Sequence, residues 1–279
     1  MLFRLPGAFV RAALVVMLII MPHALLPGRS GDSAQIVALA AVFAALFTIV
    51  EYISTSPSLV EFRDAPPFNR VRFSALFATV LCLSVIFRGA EDPTAVSDFF
   101  QLSGSALGVA IDFPYSPLRL MLDQMPASVS EDTLVRVRDA AGLIYLIASV
   151  SVIYFIVLLR FYRWPRRNEA FNVWINLPTF DPTSGGDVIK RLRRDARFNI
   201  LLGIAVPFLI PTVIWIIGAV GTSINLQSTQ TLIWVLAAWA FIPANLLMRG
   251  VAISRIAYMI ELQRRRAYGD RDVGVPRYS

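Results

Sequence analysis

The chain has 279 residues, 56% hydrophobic and only 16% charged, where soluble domains average about a quarter charged residues. One His and one Cys exclude a His-rich zinc site, a two-His iron site, an internal disulfide, a CxxC redox pair and a Cys-ligated iron–sulfur cluster. The formal charge of +7 then has to be read against membrane spans, each needing about 20 helical residues to cross a hydrocarbon core about 30 Å thick.

The first span is expected at about 9–27. Arg4 and Arg11 ahead of an apolar run resemble a secretory leader. The run ends Leu25-Leu26-Pro27-Gly28-Arg29 without a small-x-small cleavage pattern, so it reads as a retained helix. His23, near its far end, reads as an interfacial histidine rather than an axial ligand to a pigment. The second span is expected at about 34–53, with Glu51 at its end.

The loop 54–71 packs Glu61, Arg63, Asp64 and Arg70 around Pro66-Pro67. A rigid turn loses little entropy on association, which makes these four residues a candidate docking loop. The competing reading is an internal ion-pair turn. The third span, about 72–88, carries Arg72 and Arg88 at its ends, where they can snorkel, and Cys82 as a small apolar residue inside.

The segment 89–137 holds two apolar stretches, one from Phe99 to Phe113 and one from Leu118 to Met125, divided by Pro114 and Pro117. Neither is long enough to cross, so they are expected as surface helices on the ends of the spans, with a lid or re-entrant piece as the alternative. Gly104 and Gly108 have GxxxG spacing, a weak signal outside an apolar 20-mer. Ser128 with Glu131 predicts a capping box starting the next helix near Val129. The fourth span is expected at about 138–161, with Asp139 at its outer end within reach of water.

The basic loop 162–198 contains Ser184-Gly-Gly-Asp187, a helix start. Val188, Ile189, Leu192 and Ala196 recur at helical spacing opposite Lys190, Arg191, Arg194 and Arg197. This predicts a basic amphipathic helix on the membrane surface that turns into the fifth span. Gly185-Gly186 lacks the frame of a phosphate-binding loop. The uncharged run from Phe198 to Met248 divides at the polar stretch 221–231 into spans at about 199–220 and 231–252. Pro207, Pro211 and Pro243 are expected to kink them and to free carbonyls that a cavity or a coupling ion can use. Asn245 lies four residues before Arg249, on one helical face, and Glu51 lies at similar depth. The three form a candidate polar cluster, with a simple interhelical hydrogen bond as the alternative. After 252 the helix is expected to continue along the surface.

Six spans place the N-terminus, the loops 54–71 and 160–198 and the C-terminal tail on one side. That side holds 21 of the 26 basic residues and nets +11, against −4 opposite. The positive-inside rule therefore puts both termini in the cytoplasm. Trp215, Trp234 and Trp239 then fall in the outer halves of their helices and Tyr52, Tyr162 and Trp164 at the inner boundary, as an aromatic belt would have them.

The expected fold is a single all-α polytopic domain over 1–279: an integral protein of the bacterial inner membrane with six transmembrane helices, both termini inside, and interfacial amphipathic helices. Its basic clusters face anionic lipid headgroups rather than nucleic acid. No hydrolase, protease or nucleotide motif occurs and no cofactor is implied. The absence of a charge at mid-span counts against a proton- or sodium-coupled carrier. The expected function is a non-catalytic accessory, scaffolding or assembly subunit with other membrane subunits as partners. The competing function is a small transporter or channel built on the kinked helices 199–220 and 231–252.

Overall fold

Long apolar runs bounded by charges fold here as helices and nothing else. The computed structural model describes residues 5–27, 31–161, 164, 176–181, 183, 185–221 and 225–272, and among these no strand occurs. The helices are α1 (Leu5–Leu25), α2 (Gly31–Ile53), α3 (Phe68–Arg88), α4 (Ala95–Ile111), α5 (Pro117–Leu122), α6 (Glu131–Phe161), α7 (Val188–Ala219) and α8 (Thr229–Asp272). All but α4 and α5 are long and apolar enough to cross a membrane. Those six runs are the ones the sequence assigns to spans.

Two apolar cores organise the bundle. One gathers Leu18 of α1 and Leu26 just after it, the second half of α3 (Leu83, Ile86), α5, the first half of α6 and the first half of α8. The other gathers Phe62, Phe68, Phe155, Trp164, Leu177, Leu192 and Ile253, from the other ends of the same helices and their connections. Successive long helices therefore run in opposite directions between a far end and a basic end, the latter carrying Lys190–Arg197 and Arg264–Arg266. α7 packs along α8, α4 along α6, and α2 lies mainly against α1. The outer faces are apolar: Ile36, Leu39, Phe43 and Phe47 on α2 and Leu201, Ile204 and Phe208 on α7 are exposed, the surface a lipid-embedded bundle presents.

Two local expectations are corrected. α6 starts at Glu131 because Ser130, not Ser128, supplies the cap: its hydroxyl accepts from the Thr133 amide at 3.3 Å and meets the Thr133 hydroxyl at 2.9 Å. Ser128 instead accepts from the Gln227 amide across the far end at 2.7 Å. The basic amphipathic segment does not turn before the fifth span. No glycine or proline separates Arg194 from Phe198, and α7 runs unbroken from Val188 to Ala219. Asp187 caps it, accepting from the Ile189 amide at 3.3 Å, as the Ser184-to-Asp187 helix start implied. The tail does continue the last span, in one helix of 44 residues.

Candidate functional site

The densest polar constellation lies at the basic end, where the connection after α2 folds back onto α3, α7 and α8. Two reciprocal caps drive that fold. The Glu51 carboxylate, in the last turn of α2, accepts from the backbone amides of Ser58, Leu59 and Val60 and from the Ser58 hydroxyl. The Arg63 guanidinium donates to the carbonyls of Glu51 (3.0 Å) and Ser54 (2.6 Å), which the end of α2 leaves without helical partners. Glu51 is consequently 4% exposed. It does not reach water, contrary to its expected place at the helix end, because the loop supplies the hydrogen bonds water would have made.

The fold-back carries Phe62 into the basic-end core. Phe62 sits at φ 52°, uncommon for a residue with a Cβ. Its amide donates to the Asn176 carbonyl at 2.8 Å, and its ring packs on Phe68 and Trp164 with centroids 4.4 and 5.8 Å apart. Beside it, Glu61 receives a bidentate pair from Arg249 (Nε to Oε2 2.7 Å, Nη2 to Oε1 2.9 Å). The third guanidinium nitrogen of Arg249 reaches Asp195 on α7 at 3.2 Å. Asn199, one turn on, donates to the same Asp195 carboxylate at 2.8 Å, and the Thr179 hydroxyl donates to Glu61 at 3.1 Å. Charge-assisted forks of this kind fix geometry as well as contributing energy. Loop 54–67, segment 176–181, α7 and α8 are thereby tied through one guanidinium.

The candidate residues separate accordingly. Glu51, Asn245 and Arg249 are not joined into one cluster: Glu51 is consumed by the loop amides, Arg249 by Glu61 and Asp195, and Asn245 is half-buried and bonded to neither. Within the candidate docking loop, Arg63 has a side chain only 2% exposed and Glu61 is engaged with Arg249, whereas Asp64 and Arg70 remain at the surface. Arg63 also pairs with Asp64 at 3.2 Å. The partners absent from the sequence reading are Asp195, Asn199, Asn176 and Thr179. Asp195 was legible as the lone acid in the basic run 190–197, one helical turn before Asn199.

The carbonyl that Pro211 frees finds a partner within the bundle. Pro211 has no N–H to offer the carbonyl of Pro207, four residues back in α7. The indole Nε1 of Trp239 on α8 donates to that carbonyl instead, at 2.8 Å, from a fully buried position. Trp239 is thus not a belt residue, contrary to expectation; its ring also stands edge-on to Tyr145 with centroids 4.6 Å apart. Pro243 lies beside Gly203 of α7: a Cβ at 203 would meet the Leu247 side chain at 2.9 Å and the Pro243 carbonyl at 3.1 Å. Trp164 is likewise buried, in the basic-end core, while Trp215 is exposed and Tyr52 lies beneath the Arg11 guanidinium at 4.6 Å. Tyr162 falls outside the described residues. His23 is half-buried in the last turn of α1 and Cys82 is buried in α3.

At the far end, Asp139 is 4% exposed rather than open to water. Gln101 of α4 donates to it at 3.2 Å and Arg138 pairs with it at 3.2 Å, because α4 packs directly over it. That packing uses the GxxxG pair. A Cβ at Gly142 of α6 would overlap the Gly104 carbonyl and fall 2.8 Å from the Gly108 Cα, and one at Gly108 would fall 2.7 Å from the Arg138 carbonyl. The weak motif is a true helix–helix seam, and its missing half was Gly142.

Among the described residues no three His, Cys, Asp or Glu side chains are grouped as a metal site requires. No nucleophile–base pair is found among the polar contacts above. The chain matches no known protein family, no curated protein and no solved structure.

Proposed function

We propose that this chain is a non-catalytic subunit of a larger assembly in the bacterial inner membrane, acting as accessory, scaffold or assembly factor, with both termini in the cytoplasm. The observation that carries the reading is that the charged groups at the two ends of the bundle close on one another, although the buried Arg72 Nε and Tyr145 hydroxyl have no hydrogen-bond partner. Arg249, Glu61, Asp195 and Asn199 bond to one another, Glu51 is spent on loop amides, Asp139 on Gln101 and Arg138, and the proline-freed carbonyl on Trp239. A carrier needs polar groups facing a path, with alternative partners for them in a second state. Here the same groups act as fasteners, and the ends of the bundle are left for contacts.

On this reading the partners are other membrane subunits at the surface around Asp64, Pro66 and Arg70, together with anionic headgroups along the basic end. Nucleic acid is not among them. The test is purification in mild detergent, with co-eluting chains quantified by native mass spectrometry. A fixed stoichiometric complex, lost on the charge reversal Asp64→Arg with Arg70→Glu while the chain still inserts and melts normally, is the expected result. Solute flux by the chain alone in proteoliposomes would instead establish the transporter reading.

A further inference from the structure

Where α7 and α8 project beyond the apolar spans at the basic end, their antiparallel surfaces leave a cleft of about 550 Å³. Lys190 and Arg193 line it from α7 and Arg264 and Arg265 from α8, with Asp187 and Glu261 as its two acids and the buried Ile189 beneath. The acids do not neutralise the cations. Glu261 accepts from both Arg193 and Arg265, the latter at 2.9 Å, and Asp187 from Arg264 at 2.8 Å. The Asp187 carboxyl is held below the usual carboxylate range by that hydrogen bond from Arg264, so it stays ionised and engaged at neutral pH. Lys190 is exposed and, of the two acids, feels Asp187 through space without a close ion pair. Counted as formal charges, four cations against two acids leave this lining at +2.

The geometry points to a binding site for a phosphomonoester, either the terminal phosphate of a lipid or free phosphate. The chemistry selects among anions. A phosphomonoester carries about −1.5 to −2 charges at pH 7 and three strong acceptor oxygens. It matches both the surplus charge and the number of guanidinium forks available. A phosphodiester or a carboxylate brings one charge and two free oxygens, and leaves one cation of the cleft without a counterion. The cleft can open to its ligand at little cost, since Arg193, Arg264 and Arg265 are all substantially exposed and their ion pairs are surface pairs. The site is independent of the subunit reading: it lies apart from the loop of Asp64 and Arg70, and it stands whether the chain acts as a subunit or as a carrier.

The experiment titrates short-chain phosphatidic acid, short-chain phosphatidylglycerol and inorganic phosphate into the full-length protein in an uncharged detergent, by calorimetry. Two double variants are compared: Lys190→Gln with Arg265→Gln inside the cleft, and Arg194→Gln with Arg197→Gln, an equal loss of charge on exposed residues of α7 outside it. Phosphatidic acid is expected to bind at least about tenfold more tightly than phosphatidylglycerol. The cleft variant should lose about tenfold or more in affinity and the control pair about twofold or less. Competition by inorganic phosphate at comparable affinity makes free phosphate the natural source, and failure to compete makes it the lipid. Equal binding of monoester and diester, equal losses in the two double variants, or no binding at all overturns the site. Should the cleft variant melt early, Lys190→Gln alone serves, because that exposed side chain makes no hydrogen bond or close ion pair among the described residues and acts on Asp187 only through space.

Discussion

The two ends of the bundle solve the same problem with opposite chemistry. At each end a segment that does not cross must be fastened to helices that do. At the far end α4 is fastened to α6 by three glycines, Gly104, Gly108 and Gly142, which bring backbone against backbone. At the basic end the loop 54–67 is fastened by charge, through Glu61, Arg249 and Asp195 and through the paired caps of Glu51 and Arg63. Close packing is indifferent to salt, while partly exposed ion pairs are screened by it. One end should therefore be a fixed clamp and the other a clamp whose strength follows the medium.

Gly142→Leu has the largest expected effect. The first atom of the new side chain would already overlap the Gly104 carbonyl and the Gly108 backbone, and neither can rotate away as a side chain does. The expected outcome is a loss of about 3 kcal/mol or more, with α4 released, read by thermal unfolding in detergent and by protease nicking between α4 and α5. Salt should not alter the loss. Preserved protection of α4 in this variant would show that the seam is not what holds it.

Arg249→Ala comes next. Asp195 would lose its ion-pair partner, and Glu61 would keep only the charge of the nearby Arg72. A cost of about 2 kcal/mol is expected, below that of a fully buried pair because some solvent reaches the site. Here salt should matter: at about 1 M, where screening acts within about 3 Å, the gap between wild type and variant should narrow. A gap that stays constant would erase the contrast between the ends. Trp239→Phe, between the two, removes one indole N–H and leaves the Pro207 carbonyl buried and unpaired. That predicts a loss of about 1–2 kcal/mol with no salt dependence, measured in the same melts.

How much of this was legible beforehand follows from the range of each interaction. The six long helices came from runs of apolar residues, a property of the chain alone. The pairing of Arg249 with Glu61 joins residues 188 apart in sequence. Glu51 and Asn245 lie at the right level of the bundle to be its partners. What depth could not convey was that loop 54–60 folds inward and spends the Glu51 carboxylate on its own amides. Gly104 and Gly108 were visible as a motif, but a seam needs its other half, and Gly142 lies in a different helix. The proline spacing was the reverse case. That Pro211 leaves the Pro207 carbonyl free is readable from the sequence, and only the supplier of the replacement hydrogen bond was hidden.

The smallest expected effect tests the basic end at its tip. Asp187 both caps α7 and pairs with Arg264. Asn caps a helix about as well as Asp, so Asp187→Asn isolates the ion pair from the cap. The folded protein holds the Asp187 carboxyl below its ordinary value near 3.8, chiefly through the hydrogen bond from Arg264. Protonation therefore favours the unfolded chain, and the stability this group contributes is present above the ordinary value and is lost as pH falls through the lowered one. The pair is exposed, so the contribution is small. In low salt the variant should melt slightly below wild type at pH 7, and the two melting curves should converge as pH falls below 3.8, since only the wild-type side chain loses its charge there. High salt at pH 7 should bring about the same convergence. A difference that persists in acid would mean that the cap, rather than the charge, distinguishes the two side chains, and that the tip of α7 is held in the same salt-indifferent way as the glycine seam at the other end.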